Sequence, residues 1–221
     1  MRQNRRQSGH AFVELAFLIP FLASLFIGAS VLGLRLLEEL AVTQVARDAA
    51  SMYSRGTDFS TASPVNQAIL SRLGAMLGWP QTTALSSTDR GVIYLSQIMY
   101  IDNTCNGQAL TDSKGRTCNT NSWVFLNTIV IGNTSVHASN FGAPPSCISA
   151  CYDSVVTGTS PNLGNINLTE AYYNPGDVVQ HFNYLGTPAS GTAGFQPGQP
   201  ANLVEVASYV GQNVDYAFAL Y

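Results

Sequence analysis

The chain has 221 residues, long enough for one ordinary domain with an appendage. It is 46% hydrophobic but only 10% charged, far below the ~25% charged residues of a typical soluble domain. Its formal net charge of −3 offers no basic surface that would hold nucleic acid, so we expect no nucleic-acid partner.

The N-terminus combines a basic leader with a long apolar segment. Arg2, Arg5 and Arg6 precede the first acidic residue, and residues 15–34 carry no charge. At ~1.5 Å per residue, a helix of this length spans the ~30 Å hydrocarbon core of a bilayer. Lipid requires such a segment to be helical, although Pro20 predicts a local kink. Because arginines precede the segment and acids follow it, we expect a single-pass protein with a cytoplasmic N-terminus.

The helix is expected to continue past the apolar segment. Residues 36–55 contain neither Gly nor Pro, and Gly56 is suited to end a helix. An apolar stripe at helical spacing should pack against the rest of the chain. The stripe consists of Leu37, Ala41, Val45, Ala49 and Met52. We therefore predict a leader at 1–9, one helix at 10–56 and an extracytoplasmic head at 57–221.

The head is expected to begin with a short helix and to continue as β-structure. Ser63 is suited to cap a helix at 64–77, in which Pro64 occupies the first turn and which Gly78 and Pro80 would end. After residue 90, stretches rich in β-branched and aromatic residues predict strands. The predicted strands are 91–101, 122–131, 177–185 and 202–210.

Long loops and an aromatic core complete the predicted head. Residues 139–175 and 186–200 are rich in Gly, Pro, Ser and Asn and predict surface loops. The strand aromatics expected in the core are Tyr94, Tyr100, Trp123 and Phe125. The predicted fold class is α+β, in which a long transmembrane and amphipathic helix precedes a disulfide-bearing, antiparallel β-rich head.

All four cysteines lie in the predicted head. An even number of cysteines in an exported domain favours two disulfides. Of the three possible pairings, we favour Cys105–Cys118 with Cys147–Cys151, because each bond then closes a short loop. A zinc site is the alternative, but the spacings contain no Cys-x2-Cys pair and no His lies close in sequence. We therefore expect no metal and no cofactor.

The most informative motif lies at the start of the apolar segment. In Ser8–Glu14 (SGHAFVE), a glycine ends the basic leader and a single acid follows five positions later. This arrangement resembles the type III signal of pilins and pseudopilins, in which a membrane peptidase cuts after the glycine. The resemblance implies cleavage between Gly9 and His10, which makes Glu14 the fifth residue of the mature chain.

An acid at the edge of lipid has both a cost and a use. On the lenient insertion scale, a carboxylate inside the bilayer costs roughly 2.5–3.5 kcal/mol. The new α-amino group of His10 on a neighbouring subunit would neutralise Glu14 and fix the axial register between the two helices. The alternative is that Glu14 simply reaches the cytoplasmic headgroups.

The resemblance extends over residues 8–50, about a fifth of the chain. This stretch is similar to the N-terminal module of the TadE-like family, the minor pseudopilins of the Tad (tight adherence) apparatus that builds Flp-type pili. The matching residues are Gly9, Val13, Glu14, Pro20, Gly28, Gly33, Ala46, Arg47, Ala49 and Ala50. Leu15 stands where the major pilins have an aromatic residue, and those pilins are far shorter, so the resemblance favours a minor subunit.

By this resemblance, the chain is a minor pilin-like subunit that enters a surface pilus through its N-terminal helix. The implied partners are a prepilin peptidase, other pilins or pseudopilins, and the inner-membrane Tad assembly proteins. The implied location is the bacterial inner membrane or the pilus. The alternative is a membrane-anchored binding module that never enters a filament. A periplasmic enzyme, released by a cut near residues 28–30, fits poorly with the uninterrupted stripe after residue 35.

Small residues mark where the apolar helix could meet another helix. Ser24 with Gly28, and Ala29 with Gly33, form two small-xxx-small pairs. Such pairs allow the backbones of two membrane helices to approach closely.

The head contains few residues that suggest catalysis. Asp177, His181 and Glu205 could meet a serine, but nothing in their spacing requires it, and we interpret them as part of a solvated strand face. The sequence contains no phosphate loop, no His-Glu-x-x-His and no Gly-x-Ser-x-Gly motif. We therefore expect neither an enzyme nor a small-molecule substrate.

Overall fold

The computed structural model describes residues 8–59, 63–142, 168–180 and 196–221. The chain divides into two compact units, Met1–Leu40 and Ala41–Tyr221. Some of the sequence predictions fall outside the described residues. They concern the leader before Ser8, Cys147, Cys151, His181 and most of the predicted loops at 139–175 and 186–200.

The first helix, α1, comprises Ser8–Ser54 and contains Pro20. Its C-terminal end closes on Gly56, whose φ of 79° is readily adopted only by glycine. The amide of Gly56 donates to the carbonyl of Tyr53 at 3.0 Å, and the amide of Thr57 donates to that of Met52 at 3.2 Å. These two bonds satisfy the last carbonyls in a Schellman arrangement. The prediction that Gly56 ends the helix is confirmed.

In the unit Ala41–Tyr221, one face of α1 packs into the main hydrophobic cluster. The buried residues follow the i, i+3, i+4, i+7 pattern of an amphipathic helix. They are Val42, Val45, Ala46, Ala49 and Ala50. The predicted stripe is confirmed at Val45 and Ala49, and Ala41 and Met52 are partly buried. Leu37, by contrast, is half exposed and belongs to the unit Met1–Leu40.

The second helix, α2 (Pro64–Leu73), is shorter than predicted. At Gly74 it gives way to a 3-10 turn over Ala75–Leu77, so that residues 64–77 are not one α-helix. Ser63 does stand at the predicted N-cap position, but its side chain does not cap the helix. The hydroxyl of Ser63 makes no capping bond to the helix and donates instead to Oδ2 of Asp58 at 2.7 Å.

The head contains a four-stranded antiparallel sheet in the order β2-β1-β3-β4. Its strands are β1 (Gly91–Ile101), β2 (Ser122–Gly132), β3 (Pro200–Val210) and β4 (Asn213–Leu220). The first three confirm the predicted strands to within two residues. β4, which was not predicted from the sequence, pairs with β3 along its whole length. The chain therefore has the α+β architecture expected from its sequence.

The two faces of the sheet carry different layers. We call the face with Ile93, Leu95 and Val204 the helix face, because these residues share a cluster with α1 and α2. The opposite face, with Tyr94 and Glu205, contacts the loop at 133–142 and is called the loop face. The core aromatics predicted from the sequence are all buried, which confirms that prediction. They are Tyr94, Tyr100, Trp123 and Phe125.

A third helix, α3 (Leu168–Tyr173), lies within the stretch predicted as a loop at 139–175. That prediction is wrong for these residues. The side-chain amide of Asn119 donates to the carbonyl of Ala171 at 3.1 Å, and the hydroxyl of Tyr173 donates to that of Ala109 at 2.6 Å. Contacts with distant segments thus accompany the helix, and a local composition rule cannot register them.

The predicted strand at 177–185 is described only as far as residue 180, and its start differs from the prediction. Residues Pro175–Asp177 form a 3-10 turn. Val178 then makes a single antiparallel bridge to Val124 of β2. Pro175 fixes its own φ and supplies no backbone donor, which favours a turn over a strand at this point.

Candidate membrane and assembly site

The apolar segment of α1 exposes large side chains all around the helix. Phe17 and Phe26 are 78% and 75% exposed. The other large apolar side chains that are more than half exposed are Leu15, Leu18, Ile19, Phe21, Leu22, Leu25, Ile27, Val31, Leu32 and Leu34. Among the described helices, α1 alone is long and apolar enough to cross a membrane. An exposed apolar surface of this size is expected to be covered by lipid or by neighbouring helices.

The polar groups of this segment are satisfied within the helix itself. The hydroxyl of Ser24 donates to the carbonyl of Phe21 at 2.9 Å. The hydroxyl of Ser30 donates to that of Phe26 at 2.8 Å. Bonds of this kind let serine enter lipid without an unpaired donor. Pro20, which has no backbone donor, is the one proline between Glu14 and Ser54.

The residues of the proposed processing signal lie at the start of α1. Gly9 and His10 belong to its first turn. Glu14 is exposed, and the next charged residue along the chain is Arg35. The acid therefore stands at one end of a long uncharged surface.

The two pairs of small residues lie on different sides of α1. A Cβ added at Gly28 or Gly33 would meet no atom within 4 Å. At about 100° per residue, Gly28 lies close to Ser24 and Gly33 lies close to Ala29, but the two pairs are roughly 140° apart around the axis. Each pair offers a shallow strip at which a helix backbone could approach.

The head is cross-linked as predicted at one of the two cysteine pairs. Cys105 and Cys118 form a disulfide with a Cα–Cα distance of 6.2 Å. Both cysteines are buried, and they cluster with Ala171 and Tyr173 of α3. The other proposed pair, Cys147–Cys151, lies outside the described residues.

Glu205 is buried rather than part of a solvated strand face, so that interpretation is wrong. It is only 1% exposed. Its Oε1 accepts a hydrogen bond from the hydroxyl of Ser139 at 2.5 Å. Its Oε2 accepts from the backbone amide of Asn140 at 2.9 Å and from the hydroxyl of Tyr216 at 2.8 Å. Asp177 is also buried but is not among these partners.

The environment of Glu205 shifts the pKa of its carboxyl group. Burial raises the pKa of Glu205, and the hydrogen bonds from Ser139, Tyr216 and Asn140, together with the nearby His137, oppose part of that rise. Burial, followed by the charge of Glu205, raises the pKa of Tyr216. With both oxygens engaged and almost no exposure, the carboxylate acts as an anchor that ties residues 139–140 to the sheet.

The partners of Glu205 were not predicted from the sequence. Ser139 and Tyr216 lie 66 and 11 residues away from it, and neither belongs to a motif. The available signal was the alternation of Val214, Tyr216 and Phe218, which is typical of a strand beside β3. That pairing would have brought Tyr216 onto the same face as Glu205.

Comparison of the chain with protein-family models, with curated proteins and with solved structures finds no match.

Proposed function

We propose that this protein is a minor pilin-like subunit of a Tad-type surface pilus, cleaved after Gly9 and held by α1 first in the membrane and then in the filament. The observation that carries the proposal is the apolar surface at 15–34, exposed all around the helix. Glu14 precedes this surface, five residues after a glycine. The resemblance of residues 8–50 to the TadE-like family supports the same role.

The exposed side chains supply the driving force for both locations. Removing a large apolar side chain from water contributes about 1.5–3 kcal/mol, and this segment carries many of them. Before assembly, lipid covers the apolar side chains of the segment. After assembly, helices of other subunits cover them. The two small pairs, Ser24 with Gly28 and Ala29 with Gly33, lie on different sides, as suits a helix with neighbours on more than one side.

Glu14 would set the position of the subunit along the filament. After cleavage, His10 carries a free α-amino group. This group is a cation that lies near the same depth in the membrane as Glu14. A carboxylate surrounded by apolar helices is strongly destabilised unless a cation is close. An arriving subunit would therefore be favoured at the axial position where Glu14 meets that amine.

Processing is tested by mass spectrometry of the protein extracted from membranes of cells that contain an active prepilin peptidase. We expect an N-terminus at His10 in the wild type and an uncut chain for Gly9→Val. Gly28→Val serves as the matched control, because it makes the same change deeper in the helix and should be cut normally. A wild-type chain that still begins at Met1 would contradict the proposal.

Assembly is tested by the recovery of the subunit in sheared surface filaments. Glu14→Ala should be cleaved normally yet recovered severalfold less in the sheared fraction. Glu38→Ala, which removes an acid from the same helix beyond the apolar segment, should leave recovery unchanged. A wild-type protein that stays in the membrane fraction and never appears with filaments would instead indicate a membrane-anchored binding module.

A further inference from the structure

A row of side-chain amides crosses the helix face of the sheet. Strand pairing aligns Asn127 of β2 with Gln97 of β1, and Gln97 with Asn202 of β3. Tyr221 extends the row, because its backbone and that of Asn202 exchange two hydrogen bonds, of 2.6 and 2.9 Å. With neighbouring strands about 4.8 Å apart, the four residues cover roughly 14 Å. We call these four residues the amide row.

The amide row lies between two buried apolar rows. On one side, Leu95 and Val204 are completely buried in the cluster that includes α1 and α2. On the other side, Met99 and Val124 are buried in the cluster that includes the disulfide and α3. The three amides between them are partly exposed. They therefore lie on a partly exposed strip of the sheet between two clusters that carry different layers.

The row has hydrogen-bonding capacity that the described residues leave unused. The Oδ1 atom of Asn127 is buried and accepts no hydrogen bond from them. Other polar side chains of the same sheet are paired: Ser96 with Thr128 at 3.1 Å, and Ser208 with Trp79 at 2.9 Å. A buried acceptor without a partner costs free energy, and asparagine is depleted in strands. Because this oxygen is closed to solvent, a ligand would meet the exposed parts of the three amide side chains rather than Oδ1 itself.

We infer that the amide row binds a neutral saccharide. A side-chain amide carries one carbonyl acceptor and two N–H donors. Apart from the buried Oδ1 of Asn127, these groups match sugar hydroxyls, which both donate and accept. None of the four side chains is charged, so they offer no counter-charge to an anionic ligand. Tyr221 is half exposed, and its ring presents an apolar face against which a sugar ring can stack.

The placement of the row favours a saccharide over an extended peptide. A peptide that adds to a sheet uses the backbone groups of an edge strand. The amide row instead runs across the strands, and Gln97 belongs to β1, an interior strand whose backbone is paired on both sides. Only side-chain groups are available there, at intervals set by the strand spacing.

The test uses the full chain in a detergent without a sugar headgroup, titrated with linear oligomers of glucose and of N-acetylglucosamine. We expect saturable binding that Gln97→Leu weakens about tenfold or more, because one amide with several hydrogen bonds is lost. Tyr221→Leu should also weaken binding, and it serves as the second variant if Gln97→Leu does not fold. Asn213→Ala, an exposed amide at the start of β4, is the matched control and should bind normally.

Three results would overturn the inference: no saturable binding of either oligomer series, binding that Gln97→Leu and Tyr221→Leu leave unchanged, or binding of an extended peptide in place of the sugars. The result is separable from that of the pilus proposal. Neither substitution touches the apolar part of α1, so recovery in sheared filaments should match the wild type whether or not sugar binds.

Discussion

The hydroxyl of Tyr216 donates a hydrogen bond to the carboxylate of Glu205 at 2.8 Å, which joins β4 to β3 on the loop face. Ser139 and Asn140 donate to the same carboxylate from the loop at 133–142. The ring of His137 stacks on that of Tyr216, with centroids 4.9 Å apart. One buried acid therefore fixes both the edge strand and the covering loop, and its ionisation should affect the stability of the head.

We predict that the stability of the head falls as the pH rises above the ordinary Glu pKa of 4.5. Because burial raises the native pKa of Glu205, the native state holds the proton more tightly than the unfolded state does. The resulting stabilisation is complete below the unfolded pKa and is lost as the pH passes through the raised native pKa. Glu205→Gln, which cannot ionise, should have a flatter profile over this range.

The measurement is the urea midpoint from pH 4 to pH 8, followed by tryptophan fluorescence. Both tryptophans of the chain, Trp79 and Trp123, are buried in the head, so the signal reports this unit. Other groups also titrate in this range, and the informative quantity is the difference between the wild type and Glu205→Gln. Parallel profiles for the two proteins would contradict the prediction.

We predict that Gly91→Ala destabilises the head by about 1–3 kcal/mol, the usual cost of overpacking. The indole of Trp79 occupies the space where side chains at Gly74 and Gly91 would lie, so that a new Cβ at either position overlaps its ring. Trp79 also donates to the hydroxyl of Ser208 at 2.9 Å, which restricts movement of the ring.

A double-mutant cycle with Trp79→Phe provides the control, with unfolding followed by far-UV circular dichroism. The smaller ring should make room for the methyl group, so the cost of Gly91→Ala should shrink in the Trp79→Phe background. Equal costs in both backgrounds would mean that the ring is not the source of the strain.

Much of this fold was predictable from the sequence because its strongest signals are local. Residues 91–101 carry a continuous run of β-formers and form a strand with the predicted bounds. The end of α1 was likewise predictable from a single residue, Gly56. β4 was missed because Asn213, Asp215 and two alanines weaken its strand propensity, although every second residue is apolar.

The buried acid and the amide row could not be read from sequence alone. Glu205 looks like a solvated strand residue until β4 and the loop at 133–142 place Tyr216 and Ser139 beside it. Likewise, Asn127, Gln97 and Asn202 become neighbours only once the register of three strands is known. Both features depend on tertiary pairing, which short sequence windows do not contain.

We predict that the Cys105–Cys118 disulfide stabilises the head by about 2–4 kcal/mol, since the two cysteines close a loop of 13 residues in sequence separation. The closed loop also carries contacts to α3: the side chain of Asn106 is 3.4 Å from the hydroxyl of Tyr172, and Ala109 accepts from Tyr173. Cys105→Ser with Cys118→Ser should therefore also expose α3.

Urea unfolding and hydrogen exchange of the peptide that spans Leu168–Tyr173 measure the two effects. Non-reducing peptide mapping of the wild type provides the control, and we expect it to recover Cys105 linked to Cys118. Protection of α3 that is identical in the wild type and in the double serine variant would show that the disulfide does not hold this helix.

We predict that Gly28→Ile and Gly33→Ile each reduce recovery in sheared filaments severalfold while leaving membrane insertion intact. Isoleucine is more apolar than glycine and favours insertion, but its branched side chain fills the strip at which another helix could approach. Ala23→Ile is the matched control, because it adds similar bulk on a side of the helix away from both small pairs. Membrane and sheared fractions are compared by quantitative immunoblot. If Ala23→Ile lowers recovery as much as the two glycine variants do, general bulk rather than close approach at Gly28 and Gly33 limits assembly, and α1 would meet its neighbours through its large side chains instead.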